Sequence, residues 1–265
     1  MLEITSKDNQ YLKLARSLRH KKDRQEQGLL LAEGLRLAEE AVAAARCRCV
    51  IFTETALAER RVQALAQCCR ERDLTCLRVS QALFDGLAVT DHPQGVLAVC
   101  AQPQPWQPAP APWLAYGDDI ADPGNLGALM RSAYAAGATA LLLSPQAADP
   151  WNPKTVRASM GAVFRLPLWR AAAEEEAARL LLDLGLTPLI TTMAGRDIRL
   201  CGELLRQPHC WILGCEARGV SDFWLQQPTA RAVSLPMAPG AESLNVAAAG
   251  AVLFYQSFFQ QQVLP

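Results

Sequence analysis

The chain reads as an α/β protein in two domains, and three observations predict it. Short apolar runs of strand length alternate with helix-length segments along most of the 265 residues. A proline-rich stretch, AQPQPWQPAPAP at residues 101–112, cannot build a helix interior or a central strand, because proline fixes φ and lacks the amide donor. With 51% of residues apolar, there is material for a packed core on either side of that linker. The expected division is a small N-terminal α/β domain over residues 1–100, a semi-extended linker over 101–112, and a second α/β domain over 113–265.

Taken in order, residues 9–24 read as a basic helix and residues 29–32, LLLA, as a short strand. A helix over 33–45 places Leu35, Ala38, Ala41 and Val42 on one face. Residues 50–52 form a strand, 56–72 a helix, and 95–100 a closing strand. After the linker, residues 113–120 are strand, and 125–136 an alanine-rich helix with Asn125 as its N-cap. Strands follow at 140–143, 189–193, 210–213 and 232–235. Helices start at Pro153, span 174–184, and close the chain over 246–259. Short apolar strands between helices predict a mostly parallel sheet covered on both faces, Rossmann-like as far as local physics reaches.

Composition narrows the function classes. The first eight residues are polar and charged, and no apolar run escapes charge for the length a bilayer needs, so a soluble cytoplasmic protein with no membrane partner is expected. Nine cysteines, an odd number, argue for reduced thiols. The best metal set, Cys201, His209, Cys210 and Cys215, is set aside because Cys215 follows an apolar run read as buried strand; no metal is expected. Equal numbers of basic and acidic residues, 26 each, are the reverse of a nucleic-acid binder's basic footprint. The average hides a local excess: Lys7, Lys13, Arg16, Arg19, Lys21, Lys22 and Arg24 stand against Asp8 and Asp23. Such a run is a solvated helix face or an RNA-binding surface.

Familiar nucleotide fingerprints are missing. The first strand–helix turn of the second domain lacks GxGxxG spacing, which disfavours a nicotinamide-dependent oxidoreductase. Gly214 and Gly219 are followed by Val220 and Ser221, so there is no Walker A loop, and neither GxSxG nor HExxH occurs. Three other segments carry oddly placed polar residues: DPGNLGALMR at 122–131, LGCEARG at 213–219, and LPM at 235–237 running into ESLNVAA at 242–248. In the first, Arg131 follows Asn125 by about one and a half helical turns, so that both side chains can reach the carboxyl edge of the sheet, where open α/β folds bind ligands. In the second, Gly214 and Gly219 bracket Glu216 and permit close backbone approach to a ligand. In the third, a strand ends at Leu235-Pro236-Met237, and Ser243-Leu244-Asn245 starts the last helix.

In that order and spacing, the three segments resemble the signature motifs of the SpoU/TrmH group of SPOUT RNA methyltransferases. The resemblance covers the whole chain and is strongest over residues 114–260. It implies a deep trefoil knot in the second domain, one of the rare exceptions to unknotted topology. It also implies methylation of a ribose 2′-hydroxyl in RNA, ribosomal more than transfer RNA and not DNA, with S-adenosylmethionine as cofactor. Asn125, Arg131, Glu216, Ser243 and Asn245 are then the catalytic group. Thr192, Met193, Gly214, Leu235, Leu244 and Val246 cradle the cofactor, and the knotted domain forms a homodimer. Segments AEG at 32–34 and TDHPQGV at 90–96 look like the group's substrate-binding domain. Lys21, Lys22 and Arg24, with Lys154 and Arg157, are the expected RNA contacts. The alternatives are a non-catalytic RNA-binding relative, disfavoured because every motif residue is present, and a base-methylating SPOUT enzyme.

Overall fold

The computed structural model describes every residue except Glu216, Glu242 and residues 262–265. Each of its two units has its own sheet: Met1–Pro103 with Asp149–Arg165 form the first, and Gln104–Ala148 with the chain from Leu166 onward form the second. Elements of the first hundred residues are β1 (Leu2–Ile4), α1 (Gln10–Ser17), α2 (Lys21–Gln27), β2 (Leu29–Glu33), α3 (Leu35–Ala43), β3 (Cys47–Thr53), α4 (Glu54–Leu57), α5 (Arg60–Glu71), β4 (Thr75–Val79), α6 (Gln81–Asp85) and β5 (Val96–Ala101). Then come β6 (Trp113–Gly117), α7 (Pro123–Ala135), β7 (Leu141–Leu143), α8 (Pro153–Ala158), β8 (Leu168–Arg170), α9 (Glu174–Asp183), β9 (Thr187–Asp197), α10 (Gly202–Arg206), β10 (His209–Leu213), α11 (Asp222–Leu225), β11 (Arg231–Ser234) and α12 (Val246–Gln261). None of the described helices is long and apolar enough to cross a membrane.

In the first unit the sheet order is β1-β4-β3-β5-β2, with β5 antiparallel to both β2 and β3. Leu12, Ala15 and Leu18 of α1 pack on Leu29, Leu31, Ile51, Leu77 and Val99. The basic helix expected over residues 9–24 is two helices, because Arg24 turns inward. Its guanidinium donates to Leu18 O at 2.9 Å and Arg19 O at 2.8 Å, satisfying carbonyls that α1 leaves open at its end. The same group reaches Asp149 Oδ2 at 2.6 Å, and Arg24 is 2% exposed. That ion pair ties Asp149–Arg165 into this unit, whereas the sequence reading places the segment with the second domain. Leu37, not Leu35, faces the core from α3. Strands β1 and β4 are absent from the sequence reading: β1 has three residues, and β4 is interrupted by the half-buried Arg78. Glu33 accepts from Val89 N at 2.7 Å and from Thr90 Oγ1, while Gln94 Oε1 accepts from Leu35 N at 3.1 Å. The resemblance segments at 32–34 and 90–96 are therefore interlocked by their own polar side chains.

The second sheet is parallel throughout, in the order β11-β9-β10-β6-β7-β8. Every residue of β6 and β10 is buried, as both-face coverage requires. Side chains alternate between the faces. Leu114, Tyr116, Cys210 and Ile212 meet Leu181 of α9 and Trp224 of α11, whereas Trp113 packs on Phe254 of α12 at 5.3 Å between ring centroids. The proline-rich linker joins this core, since Trp106 is buried and donates its amide to Leu168 O at 2.7 Å. That pairing accompanies β8, a three-residue strand that the sequence reading passes over along with the short α6, α10 and α11.

Helix α12 is fixed to β10 by a buried polar triad. His209 Nδ1 lies 2.8 Å from Gln207 O, which can only accept, so Nδ1 carries the proton and Nε2 accepts from Ser257 Oγ at 2.7 Å. Ser257 Oγ in turn accepts from Trp211 Nε1 at 2.8 Å. These partners leave His209 no nitrogen for the metal set considered above. Burial lowers its pKa from 6.5 to about 4, against the opposing effect of the Gln207 carbonyl.

Two outcomes are expected in urea unfolding. Asp149→Ala strands the buried Arg24 charge and should cost roughly 3–5 kcal/mol. Between about pH 6.5 and pH 4 an unfolded chain protonates His209 while the folded chain does not, so this contribution is fully present above pH 6.5. It should fall by about 3 kcal/mol as the pH drops to 4, and His209→Gln should flatten that slope.

Candidate active site

Strand carboxyl ends meet the start of α12 around a cavity of about 560 Å³, within the usual range for a small-molecule site. Its walls come from the middle of β9, from the end of β10 and the turn after it, from β11 and the segment after it, and from the first turns of α12. Thr192, Met193, Gly214, Leu235, Leu244 and Val246 all line it, as do Ser243 and Asn245. Residues more than 50 positions apart in the chain are thus brought to one place.

Each wall has a local cause. Ala232 pairs with Ile190 but the next residue, Val233, pairs with Arg196, so residues 191–195 bulge out of the ladder register with β11, and Thr191, Thr192 and Met193 among them line the cavity. Met193 is 66% exposed there, an apolar side chain presented to a ligand rather than to the core. A Cβ on Gly195 would sit 2.5 Å from Val233 backbone, and Ser234 Oγ closes the crossing by donating to Gly195 O at 2.9 Å. At the end of β10, a Cβ on Gly214 would lie 2.0 Å from Gly219 C and 2.1 Å from Val220 N. Only glycine permits that backbone contact. The turn is closed by Gly219 N donating to Cys215 O at 2.8 Å, with Gly219 at φ +71°. Glu216, expected at its apex, lies outside the described residues.

The residues expected to be catalytic are gathered in part. Asn125 is not the cap of α7: Asp122 is, its Oδ1 accepting from Asn125 N at 2.8 Å, because the helix begins two residues earlier, at Pro123. That shift turns the Asn125 amide toward α12, where Oδ1 accepts from Asn245 Nδ2 at 2.9 Å. Asn245 does cap its helix, accepting from Ala247 N at 2.9 Å and Ala248 N at 3.3 Å. Arg131 is exposed and is not part of the cavity wall, so the joint reach of Asn125 and Arg131 to one edge is not seen within the chain. Among the expected RNA contacts, Lys21 and Lys22 on α2 and Lys154 and Arg157 on α8 are exposed, all in the first unit. Arg24 is removed from that set by its burial and its pairing with Asp149.

Sequence reasoning passed over Arg218, which lines the cavity and donates to Asp119 Oδ2 at 2.9 Å. Cys215 and Asp119 both raise its pKa. Beside it Asp118 Oδ2 accepts from Ser221 N at 2.7 Å, and burial raises the Asp118 pKa. The signal for Arg218 was its place between the two glycines of the second motif.

The SpoU rRNA Methylase family matches residues 114–255, the stretch that builds this cavity. The chain belongs to the SpoU rRNA methylase family. An MRM3-like substrate binding domain matches residues 9–98. This SpoU chain is 33% identical to an uncharacterized tRNA/rRNA methyltransferase of Synechocystis sp., over 97% of its own length and 94% of the relative's. It is 30% identical to the 23S rRNA (guanosine(2553)-2'-O)-methyltransferase RlmP of Bacillus subtilis, over 96% and 98%. The crystal structure of an AdoMet-bound rRNA methyltransferase from Sinorhizobium meliloti superposes with a TM-score of 0.83 at 29% identity, covering 99% of this chain and 98% of that one.

Gly214→Ala should force Gly219–Val220 away from β10. Thermal melting should show a loss of about 1–3 kcal/mol, the range for overpacking against structure that cannot yield.

Proposed function

We propose that this chain methylates a ribose 2′-hydroxyl of ribosomal RNA, using S-adenosylmethionine bound at the cavity over β9, β10 and β11. The observation that carries the reading is the convergence of eight expected site residues, six of them from the three motifs, on one cavity, beside an Asn125–Asn245 hydrogen bond. The residues fit the cofactor: Met193, Leu235, Leu244 and Val246 offer an apolar slot for adenine, and Gly214 lets backbone groups approach it. When bound, the cofactor supplies an electrophilic methyl group.

A neutral ribose hydroxyl is a poor nucleophile, so it must be aligned and lose its proton. Asn125 and Asn245 orient the ribose or its neighbours, Ser243 faces the same space, and Glu216 is the carboxylate of the group. A guanidinium holds its proton too tightly to serve cheaply as a base, so Arg131 acts as a cation that holds the adjacent phosphate and stabilises alkoxide charge. Its exposure suits contact with incoming substrate. Lys21, Lys22, Lys154 and Arg157 hold RNA phosphates, working in the cytoplasm where rRNA is assembled.

A homodimer through the second unit belongs to the same reading. Val246, Leu253 and Phe254 are internal core, while Val252, Tyr255 and Phe259, at 46%, 39% and 62% exposure, form a second apolar face of α12. The trefoil threading is proposed too, supported by the tight backbone crossings at Gly195 and Gly214.

Ribose-methylation mapping of total RNA from cells with and without the protein tests the activity. One 2′-O-methyl of rRNA should disappear without it; an unchanged map, or loss of a base methyl instead, would overturn the reading. In vitro, Arg131→Ala should lower turnover by roughly 100-fold or more while cofactor affinity holds.

A further inference from the structure

Among the described residues that line the main cavity, Arg218 has the one charged side chain; the others are apolar, hydroxyl-bearing, amide, thiol or glycine. A ligand that combines an adenosine end with a carboxylate end meets a mismatch in such a wall unless a cation lies at the far side, since a carboxylate leaving water needs a charged donor. Arg218 supplies that cation among the described lining residues. It also lines a smaller cavity of about 140 Å³ with Asp118 and Asp119, so it stands in the partition between the two spaces. Its Nη2 is engaged by Asp119 Oδ2 at 2.9 Å. A guanidinium has five N–H donors in a rigid fork, so one edge can stay on Asp119 while the other takes a second carboxylate.

The backbone makes this placement firm. Arg218 directly precedes Gly219, whose amide is bonded to Cys215 O at 2.8 Å and which abuts Gly214 with no room for a Cβ. The turn therefore sets the Arg218 Cα against the cavity, and Asp119, reached across 99 residues of chain, selects the direction of a side chain that is otherwise 70% exposed.

We propose that Arg218 binds the carboxylate of the cofactor's amino-acid arm and that Asp119 is its positioning residue. This rests on the methyltransferase reading and names the group that recognises the cofactor's charged end. No bond is made or broken in this role.

Calorimetry on the full chain with two probes tests it: S-adenosylhomocysteine, and 5′-deoxy-5′-methylthioadenosine, which keeps adenosine and sulfur but lacks the amino-acid arm. The unaltered protein should bind the first more tightly. Arg218→Gln should weaken S-adenosylhomocysteine by about 10- to 100-fold, the worth of a hydrogen bond to a charged group, and leave methylthioadenosine within about twofold. Arg218→Lys should recover part of the loss, and Asp119→Asn should weaken the first probe several-fold with the melting temperature unchanged. Equal weakening of both probes would make Arg218 a wall residue and overturn the proposal. So would an unaffected S-adenosylhomocysteine affinity, including the case where RNA binding falls instead. If the unaltered protein binds neither probe, the methyltransferase reading itself fails.

Discussion

The Ser257 hydroxyl is the small contact from which the geometry of the second unit follows. It donates to His209 and accepts from Trp211, two neighbours on β10 whose polar atoms are buried and have few other partners. Leaving either unpaired costs more than the bond itself contributes, so α12 has one favourable height against the sheet. Nearer the cavity, Gly250 allows the helix to sit close to α7: a Cβ there would meet Leu129 Cδ1 at 2.4 Å and Leu213 Cδ1 at 3.4 Å. With the helix fixed along its length, its capping residue Asn245 arrives opposite Asn125 with hydrogen-bonding geometry. An exposed amide pair is weak alone, and here it inherits its alignment from a buried one.

Parallel α/β architecture was legible in the sequence because β6 and β10 are buried on both faces and so read as unbroken apolar runs. The six residues that the motif resemblance assigns to the cofactor all line one cavity. What stayed hidden depended on single long side chains turning inward. Nothing local distinguishes Arg24 from Lys21 or Lys22, yet an aspartate 125 positions later makes it a core residue and breaks a helix in two. The identity of the α7 cap was hidden for a related reason. Asp122 and Asn125 are both good caps, and the choice is made by Pro123, which suits the first helical turn and moves the start upstream.

Glycine has separate uses in the two crossings that shape the cavity. At Gly195 and Gly214 the issue is room, since neighbouring backbone occupies the Cβ position, whereas at Gly219 the positive φ is what a side chain would resist. The two glycines are thus required for different reasons, and Arg218 sits directly before the second.

Charge, too, is distributed locally. Equal totals of acid and base would argue against nucleic acid if charges were spread evenly, but they are not. Arg61 is paired with Glu39, Arg78 with Glu3, Arg165 with Glu40, and Arg199 with Asp197, each within 3 Å. Those acids are paired with arginines outside the expected RNA contacts. Lys21 and Arg157 have no ion pair among the described residues, and Lys22 reaches Glu26 only at 3.7 Å across solvent. Phosphate affinity depends on the cations that can displace counterions from the nucleic acid, not on the chain's sum. A neutral protein with its acids assigned to other arginines can thus keep a basic surface where RNA would lie.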